Sequence, residues 1–256
     1  MDLREFYERS YSGSGPEGDK FAGWREMSAR AMADHVLELA YRLTGRPARV
    51  LEIGCGDGAL IARLAALESD WQLAGVEIAE RAVELARARC PAVEIALYDG
   101  ETLPFPDGSF ALAILSHVLE HVPDPGRVLS EAARVAPLLV VEVPLEANVS
   151  TLRSSKRQIA RGVGHIQRFS RRDIREIAAG AGLRVAAELS DPLGREAHTY
   201  FAGSRTASAK AHAKWATRAA CHALSPSTSQ RLFTVHYACL CEPAAAATSR
   251  YSATVR

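Results

Sequence analysis

The sequence lacks the features that mark metal-binding, redox, secreted and membrane-spanning chains. Its five cysteines are scattered, and none forms the C-x-x-C pair that would suggest a zinc ligand set or a redox dithiol. No run of about 18 apolar residues is present. The start, Met1 to Glu5, has no basic end followed by an apolar stretch. We therefore expect reduced thiols and a soluble, cytoplasmic protein with no membrane partner.

An excess of charge of either sign is also missing. The 31 Lys and Arg residues nearly balance the 30 Asp and Glu residues, for a formal net charge of +1. The chain as a whole therefore has no attraction for nucleic acid, and an anionic partner would need a local basic patch. There is no internal repeat, and nothing indicates an oligomeric state. The 48% hydrophobic and 24% charged residues are ordinary for a folded globular protein.

Short apolar runs alternate with helical patterns from Ala48 onward, which is typical of strands joined by crossover helices in a parallel sheet. Helices are predicted at about 27–44, 58–67, 80–89, 126–135 and 171–181, with a further helical piece at about 208–224. Strands are predicted at Arg49 to Ile53, Gln72 to Glu77, Glu94 to Tyr98, Phe110 to Ser116, Leu138 to Val143, Arg184 to Leu189 and Leu232 to Leu240.

A glycine-rich loop, Val50 to Gly58, ends the first predicted strand and opens a helix. Glycines at such a turn let the backbone approach a ligand closely. Gly54, Gly56 and Ala59 also satisfy a relaxed dinucleotide pattern, so NAD(P) must be weighed against S-adenosylmethionine (SAM). Glu52 favours SAM, because a carboxylate would repel a pyrophosphate by on the order of a few kcal/mol in a partly dry site but attract the cationic methionyl end of SAM.

Two more acids end the next strands. Glu77 closes the second predicted strand, where it can accept hydrogen bonds from ribose hydroxyls, and Asp99 follows the third, where it can accept from an adenine amino group. The ribose role suits SAM and NAD equally. The ordered set of acids is more informative than any one of them, since a single acid is usually a surface charge.

The motifs together resemble those of the class I SAM-dependent methyltransferases, specifically the small-molecule group, over about residues 45–185. The matching segments are Leu51 to Gly58, Gly75 to Glu77, Asp99 to Phe105, Asp107 to Phe110 and Val118 to Val122. The resemblance implies an α/β, Rossmann-like class I methyltransferase fold, with a mostly parallel seven-stranded sheet and helices on both faces. It also implies that SAM is the cofactor and that the cofactor contacts are Glu52, Gly54, Cys55, Gly56, Gly58, Glu77, Ile78, Asp99, Gly100, Glu101, Ser116 and His117.

The domain organisation follows from the resemblance and the local patterns. Residues 1–44 are predicted to hold a helix and an aromatic-rich segment that could act as a lid, with a flexible stretch at Ser12 to Pro16. Residues 45–242 form the predicted SAM-binding catalytic domain, with a helical insertion at about 190–230. Residues 243–256 are predicted to be a disordered tail.

The acceptor should bind beyond the carboxyl ends of the fourth and fifth strands, where His121 and His165 are predicted. Methyl transfer requires alignment of the acceptor and, for a hydroxyl, removal of its proton, so we expect His165, with His121, to be catalytic. His165 could instead only shape the pocket. A span rich in arginine, 153–175, would attract a carboxylate or phosphate on the acceptor, unless it is simply a solvated helix face.

A divalent metal held by His117, Glu120, His121 and His165 is a further hypothesis, because the spacing i, i+3, i+4 places the first three on one helical face. The pattern resembles the metal site of small-RNA 2′-O-methyltransferases. Glu-His is also widespread in the family without any metal, so the favoured interpretation is a hydrogen-bonded pair.

The leading function is methylation of O or N of a small metabolite, which could be anionic. The alternatives are metal-dependent RNA ribose 2′-O-methylation, a non-catalytic SAM-binding protein and an NAD-dependent oxidoreductase.

Overall fold

A computed structural model describes residues 3–13, 16–42 and 46–244. Within these ranges seven strands form one sheet in the order β3-β2-β1-β4-β5-β7-β6. The pairs from β3 to β5 are parallel, and β7 is antiparallel to both β5 and β6. The predicted, mostly parallel seven-stranded sheet is therefore confirmed. The strands are β1 (Arg49–Ile53), β2 (Gln72–Glu77), β3 (Glu94–Leu97), β4 (Leu112–Ser116), β5 (Leu139–Pro144), β6 (Leu183–Asp191) and β7 (His236–Pro243).

Helices cover both faces of the sheet because buried strand residues alternate between the two sides. The helices are α1 (Leu3–Ser12), α2 (Pro16–Ala40), α3 (Ala59–Leu67), α4 (Glu80–Arg89), α5 (Pro125–Val135), α6 (Ser154–Gly162), α7 (Arg171–Gly180), α8 (Arg195–Thr199), α9 (Arg205–Leu224) and α10 (Pro226–Leu232). One face of the sheet packs Leu51, Leu115 and Val141 against α5 and α7, and the other packs Val50, Ile114 and similar residues against α2 and α3.

The N-terminal aromatic-rich segment, for which no helix before residue 27 was predicted, is helical in the structure. It contains α1 and the first half of α2. Aromatic contacts with the body account for these helices: Tyr7 meets the His121 ring edge-on at 5.6 Å, and Trp24 meets Tyr200 at 5.5 Å. Of the predicted flexible stretch, Ser14 and Gly15 lie outside the described residues.

The last strand and the tail have different bounds from those predicted. The final strand starts at His236 rather than Leu232, because Pro226 opens α10 and that helix runs to Leu232. Pro243, the first residue of the predicted tail, ends β7, and residues 245–256 of that tail lie outside the described residues. In the described part of the chain, no helix is both long and apolar enough to cross a membrane.

The topology gathers the functional loops at one edge. Strands β1 to β5 all end there, and β7 starts there because it runs in the opposite direction. The insertion between β6 and β7, which carries α8, α9 and α10, therefore returns to the edge where the glycine loop and the loops after β4 and β5 lie.

Candidate functional site

The glycine loop after β1 has the backbone geometry that a close ligand approach requires. Gly54 and Gly56 have φ angles of 73° and 54°, in the left-handed region. A Cβ at Gly54 would lie 2.8 Å from Val118 Cγ2, and one at Gly56 would lie 2.5 Å from Tyr11 Oη. A side chain at either position would therefore collide with its surroundings as well as strain the backbone.

Glu52 is a buried carboxylate with one oxygen that has no hydrogen-bond partner among the described residues. The residue is 5% exposed, and that oxygen is Oε2. Burial raises the pKa of Glu52 well above its ordinary value, Glu77 and Asp57 raise it further, and the backbone N–H of Ile61 lowers it. The site therefore offers an acidic group that a cationic ligand or a hydrogen-bond donor would stabilise.

Glu77, at the end of β2, is buried and fixed by backbone donors. One carboxylate oxygen accepts from Gly56 N at 2.9 Å, and the other accepts from Ile78 N at 2.7 Å and Ala79 N at 3.2 Å. Burial raises its pKa, and these N–H groups lower it in part. The carboxylate is thus held against the glycine loop, and its further lone pairs can still accept hydrogen bonds from a ligand.

Asp99 extends the row of acids to the end of β3. Its Oδ1 accepts from Glu101 N at 2.7 Å and Thr102 N at 2.8 Å, and these bonds lower its pKa. A Cβ at Gly100 would lie 3.4 Å from Ile78 Cγ2, so this loop adjoins the end of β2. The structure thus brings together the residues predicted around the glycine loop. The Glu101 side chain, however, forms an ion pair with Arg127 at 3.0 Å.

Helix α1 covers this row; the sequence suggested a lid in the aromatic-rich segment but neither the helix nor its contacts. The Glu8 carboxylate accepts from the backbone N–H groups of Glu80 and Arg81 at the start of α4. Tyr11 lies over the glycine loop, and the Arg25 guanidinium stacks on its ring at 4.9 Å. The acidic and aromatic residues of α1 were the available signal, but only the fold shows which surface they contact.

A second cluster lies at the ends of β4 and β5. His117 Nδ1 is 2.9 Å from Glu120 Oε1, and His165 Nδ1 is 2.9 Å from Glu146 Oε2. The rings of His121 and His165 meet edge-on at 4.9 Å. The structure therefore brings the predicted residues together and adds Glu146, which sequence reasoning missed.

The predicted shared helical face for His117, Glu120 and His121 is wrong. His117 has a φ of 56°, outside any helix, and only a single 3-10 turn, Leu119–His121, follows it. The left-handed turn at the strand end redirects the chain, so His117 reaches Glu120 across the turn. Glu120, His121 and His165 each offer a ligand atom within 4.8 Å of one another, and His117 is not part of that set.

The protonation of the second cluster depends on burial. Burial raises the pKa of Glu120, but the hydrogen bond from His117 and the charges of the three histidines lower it overall. Burial lowers the pKa of His121, whose Nδ1 has no hydrogen-bond partner in the described part of the chain. Glu120 is therefore an anion at neutral pH, and His121 is a neutral ring.

Ser116 belongs to a different, largely buried network on the α2 side of the sheet. Its hydroxyl donates to Glu142 Oε2 at 2.8 Å, and Glu142 Oε1 lies 2.9 Å from His35 Nδ1 and 3.4 Å from His236 Nδ1. His35 Nε2 lies 3.3 Å from Asp191 Oδ2. The sequence signal for this network is an acid, Glu142, inside the apolar run of β5.

His35 is the cation of that network. Burial lowers its pKa, but hydrogen bonds to Asp191 and Glu142 outweigh burial and raise it to about 10. Both ring nitrogens of the imidazolium then donate to carboxylates, so neither keeps a lone pair for a metal. His35, Glu142 and His236 form a compact set of ligand atoms, but their protonation favours an ion pair that ties α2 to the sheet.

The predicted basic span divides into two groups. Arg171 and Arg175 contact Glu188, and Arg172 pairs with Glu176. Arg153 and Lys156 instead line a cavity with residues of α9. The first group is a solvated, paired surface, as one of the two interpretations of the sequence expected.

Comparison with known proteins gives the family. A family model described as "Methyltransferase domain" matches residues 23–188. The chain is 36% identical over 93 residues to a 27-O-demethylrifamycin SV methyltransferase of Amycolatopsis mediterranei, covering 34% of each chain. It is 38% identical over 109 residues to a probable S-adenosylmethionine-dependent methyltransferase of Mycobacterium tuberculosis, covering 41% of this chain and 38% of that one. The chain thus spans about a third of the length of these curated relatives.

The fold is similar to that of a solved geranyl diphosphate C-methyltransferase from Streptomyces coelicolor A3(2), in complex with Mg2+, geranyl diphosphate and S-adenosyl-L-homocysteine. The TM-score is 0.61 at 14% identity, and the match covers 84% of this chain and 79% of that chain. At this identity the likeness concerns the fold alone, and it confirms the predicted fold class.

Proposed function

Because the chain belongs to the methyltransferase-domain family, we propose that it transfers a methyl group from SAM to O or N of a small-molecule acceptor. The observation that carries the proposal is the row of acids Glu52, Glu77 and Asp99 beside the glycine loop, with one buried oxygen of Glu52 unpartnered in the described structure. SAM supplies a methyl group on a sulfonium that is already a good leaving group, so the protein needs chiefly to bind and align.

The residues present fit SAM better than a dinucleotide. A buried acid at the position of Glu52 would repel the pyrophosphate of NAD, whereas the ammonium of a methionyl group satisfies it. Glu77 is held where it can accept from ribose hydroxyls, and Asp99 keeps one carboxylate oxygen free of the bonds to Glu101 and Thr102. Cys55, Gly58, Ile78, Gly100 and His117 line the same edge and belong to the proposed cofactor site.

The acceptor would meet the second cluster, where His165 is the proposed general base. Its Nδ1 contacts Glu146 at 2.9 Å, which orients the ring and leaves Nε2 to take a proton from a hydroxyl or an amine. His121 meets the His165 ring edge-on and is neutral at physiological pH, so it can accept a hydrogen bond from the acceptor. A C-methyltransferase is also among the similar structures, and it is described with an anionic acceptor, geranyl diphosphate.

A metal-dependent RNA ribose 2′-O-methyltransferase is the second candidate. The close approach of Glu120, His121 and His165 favours it, because the three donors could share one divalent ion. His117 does not join them, and the overall charge gives no attraction for RNA. Calorimetric titration of Mg2+ and Mn2+ into wild type and His165→Ala tests this candidate. Heat of binding that disappears in the variant would support it.

We propose that α1 is the lid of the cofactor site. Glu8 binds the start of α4, and Tyr11 places α1 over Gly56. SAM would therefore reach the glycine loop only after α1 moves, and α1 would enclose the bound SAM once it returns. The lid of the proposed domain arrangement is thus α1, and α2 packs on the sheet as part of the catalytic domain.

Calorimetric titration of SAM and NADH into wild type, Glu52→Gln and the surface control Glu84→Gln tests the function. We expect wild type and the control to bind SAM but not NADH, and Glu52→Gln to bind SAM about tenfold more weakly, because a charge-assisted hydrogen bond is lost.

The same titration has an expected pH dependence. Burial raises the pKa of Glu52 in the ligand-free protein, and a bound cation would lower it, so SAM affinity should rise with pH in wild type but not in Glu52→Gln. Binding of NADH, or none of SAM, would contradict the proposal.

A further inference from the structure

A cavity of about 520 Å³ opens between the loop after β5 and the insertion. One wall comes from the 3-10 helix Val149–Leu152 and the start of α6, and the other from α9 and the residues that precede β7. The size is typical of small-ligand pockets. The cavity is lined by Val149, Ser150, Arg153, Lys156, Lys214, Thr217, Arg218, Leu232 and Phe233.

Four cationic side chains face this cavity. In the described residues, Arg153, Lys156, Lys214 and Arg218 form no salt bridge with a carboxylate. Arg218 is 7% exposed, its guanidinium lies over the Phe233 ring at 5.1 Å, and its Nη1 donates to His198 Nε2 at 3.3 Å. A buried guanidinium without a carboxylate is costly, so its position in the cavity wall points to an anionic ligand.

The cations also repel one another. Burial lowers the pKa of Lys214 to about 8, and the neighbouring charges of Lys156 and Arg218 contribute. Burial and Arg218 likewise lower the pKa of Lys156. This cluster is therefore strained as an isolated group of charges, and an anion bound among them would relieve the repulsion.

The charge and the walls together define the ligand class. Several positive groups around one cavity match a group with two or more negative charges, such as a phosphate monoester or a diphosphate, better than a single carboxylate. Val149, Leu232 and Phe233 provide an apolar wall beside the cations, which suits an organic body attached to that group.

Glu146 connects the cavity with the proposed base, because its charge also acts on Lys156 and opposes the lowering of that lysine's pKa. Thr151, in the 3-10 helix that forms one wall, donates its hydroxyl to the Glu146 carbonyl at 2.6 Å, and the Glu146 carboxylate holds His165. A ligand anchored among the cations could therefore extend its organic part along this wall toward His165.

We propose that this cavity binds the phosphate or diphosphate group of the methyl acceptor and so selects a phosphorylated small molecule. The inference rests on the proposed methyltransferase function for the identity of the ligand as acceptor. Lys214 and Arg218 come from α9 in the insertion, so the insertion determines specificity while the strand ends bind the cofactor.

Calorimetric titration of phenyl phosphate, inorganic pyrophosphate and benzoate into protein saturated with S-adenosylhomocysteine tests the proposal. The variants are Lys214→Gln, Arg218→Gln and the control Lys210→Gln, an exposed lysine on α9 that does not line the cavity. We expect the phosphates to bind wild type and the control equally, about tenfold more weakly to the two variants, and more tightly than benzoate. The stronger of the two phosphates tells whether a monoester or a diphosphate is preferred.

Lys214 is more accessible to solvent than Arg218, so its variant keeps the test valid if Arg218→Gln fails to fold. Phosphate binding that is absent, or equal in Lys214→Gln and Lys210→Gln, would overturn the proposal. The NMR signals of the His165 ring give a second readout: phenyl phosphate should shift them, and a bound phosphate that leaves them unmoved would show an anion site unrelated to the acceptor. Failure to bind S-adenosylhomocysteine would instead contradict the proposed function.

Discussion

Removal of the His35 charge should change how stability depends on pH. The hydrogen bonds to Asp191 and Glu142 raise the pKa of His35 from 6.5 to about 10, although burial opposes them. A group with a raised folded pKa contributes stability that is fully present below the unfolded pKa and is lost as pH rises through the folded one. The contribution should therefore be complete below pH 6.5 and disappear towards pH 10.

The size of the effect follows from the shift. A rise from 6.5 to about 10 corresponds to an upper limit of about 5 kcal/mol in the free energy of unfolding, at about 1.36 kcal/mol for each pKa unit. His35→Gln removes the cation and leaves the fully buried Glu142 with weaker partners, which typically costs about 3–5 kcal/mol near pH 6. The loss should be smaller near pH 9.5, because wild type has then lost most of the contribution itself.

Urea denaturation of wild type, His35→Gln and the exposed-histidine control His212→Gln between pH 6 and 9.5 measures this difference. Titrating groups away from His35, such as Lys214, act equally in all three proteins and cancel in the comparison, whereas His117 and His236 lose the His35 charge that acts to lower their pKa values. We expect the wild-type and His35→Gln curves to converge as pH rises, while the control remains parallel to wild type. Parallel curves for wild type and His35→Gln would refute the assignment of His35 as the buried cation.

Two further predictions concern the proposed cofactor site. Gly56→Ala should abolish SAM binding in calorimetry and displace α1, because φ is 54° and the new Cβ would lie 2.5 Å from Tyr11 Oη. Unchanged affinity would show that the loop tolerates a side chain. Glu8→Gln should speed SAM dissociation in stopped-flow measurements by about threefold to tenfold, because a charged cap on the first turn of α4 is lost. The exposed control Glu5→Gln should leave the rate unchanged, and equal rates for the two variants would contradict the lid.

Much of the fold could be predicted from the order of apolar runs along the chain. The bounds of β1 and β2 were predicted to the residue, because each run is apolar, short and followed by a glycine loop or an acid that ends it. Helix α1 was missed because its few apolar residues find their partners, such as His121, only across the folded chain. The start of β7 was placed too early because residues 232–235 are mostly apolar, like the strand, although Leu232 ends α10 and the strand starts only at His236.

The candidate site divides in the same way. The glycine loop and the acids that follow successive strands were visible because parallel strands bring consecutive loops to one edge, so chain order predicts position. The pairing of His165 with Glu146 and the turn that sets His117 apart from His121 and His165 depend on loop conformation, which no periodic pattern encodes. The sequence by itself therefore determined the scaffold and the position of the glycine loop. Only the tertiary structure decided that Lys214 and Arg218, on a helix after β6, face Arg153 and Lys156 from the loop after β5, because an antiparallel last strand returns the insertion to that edge.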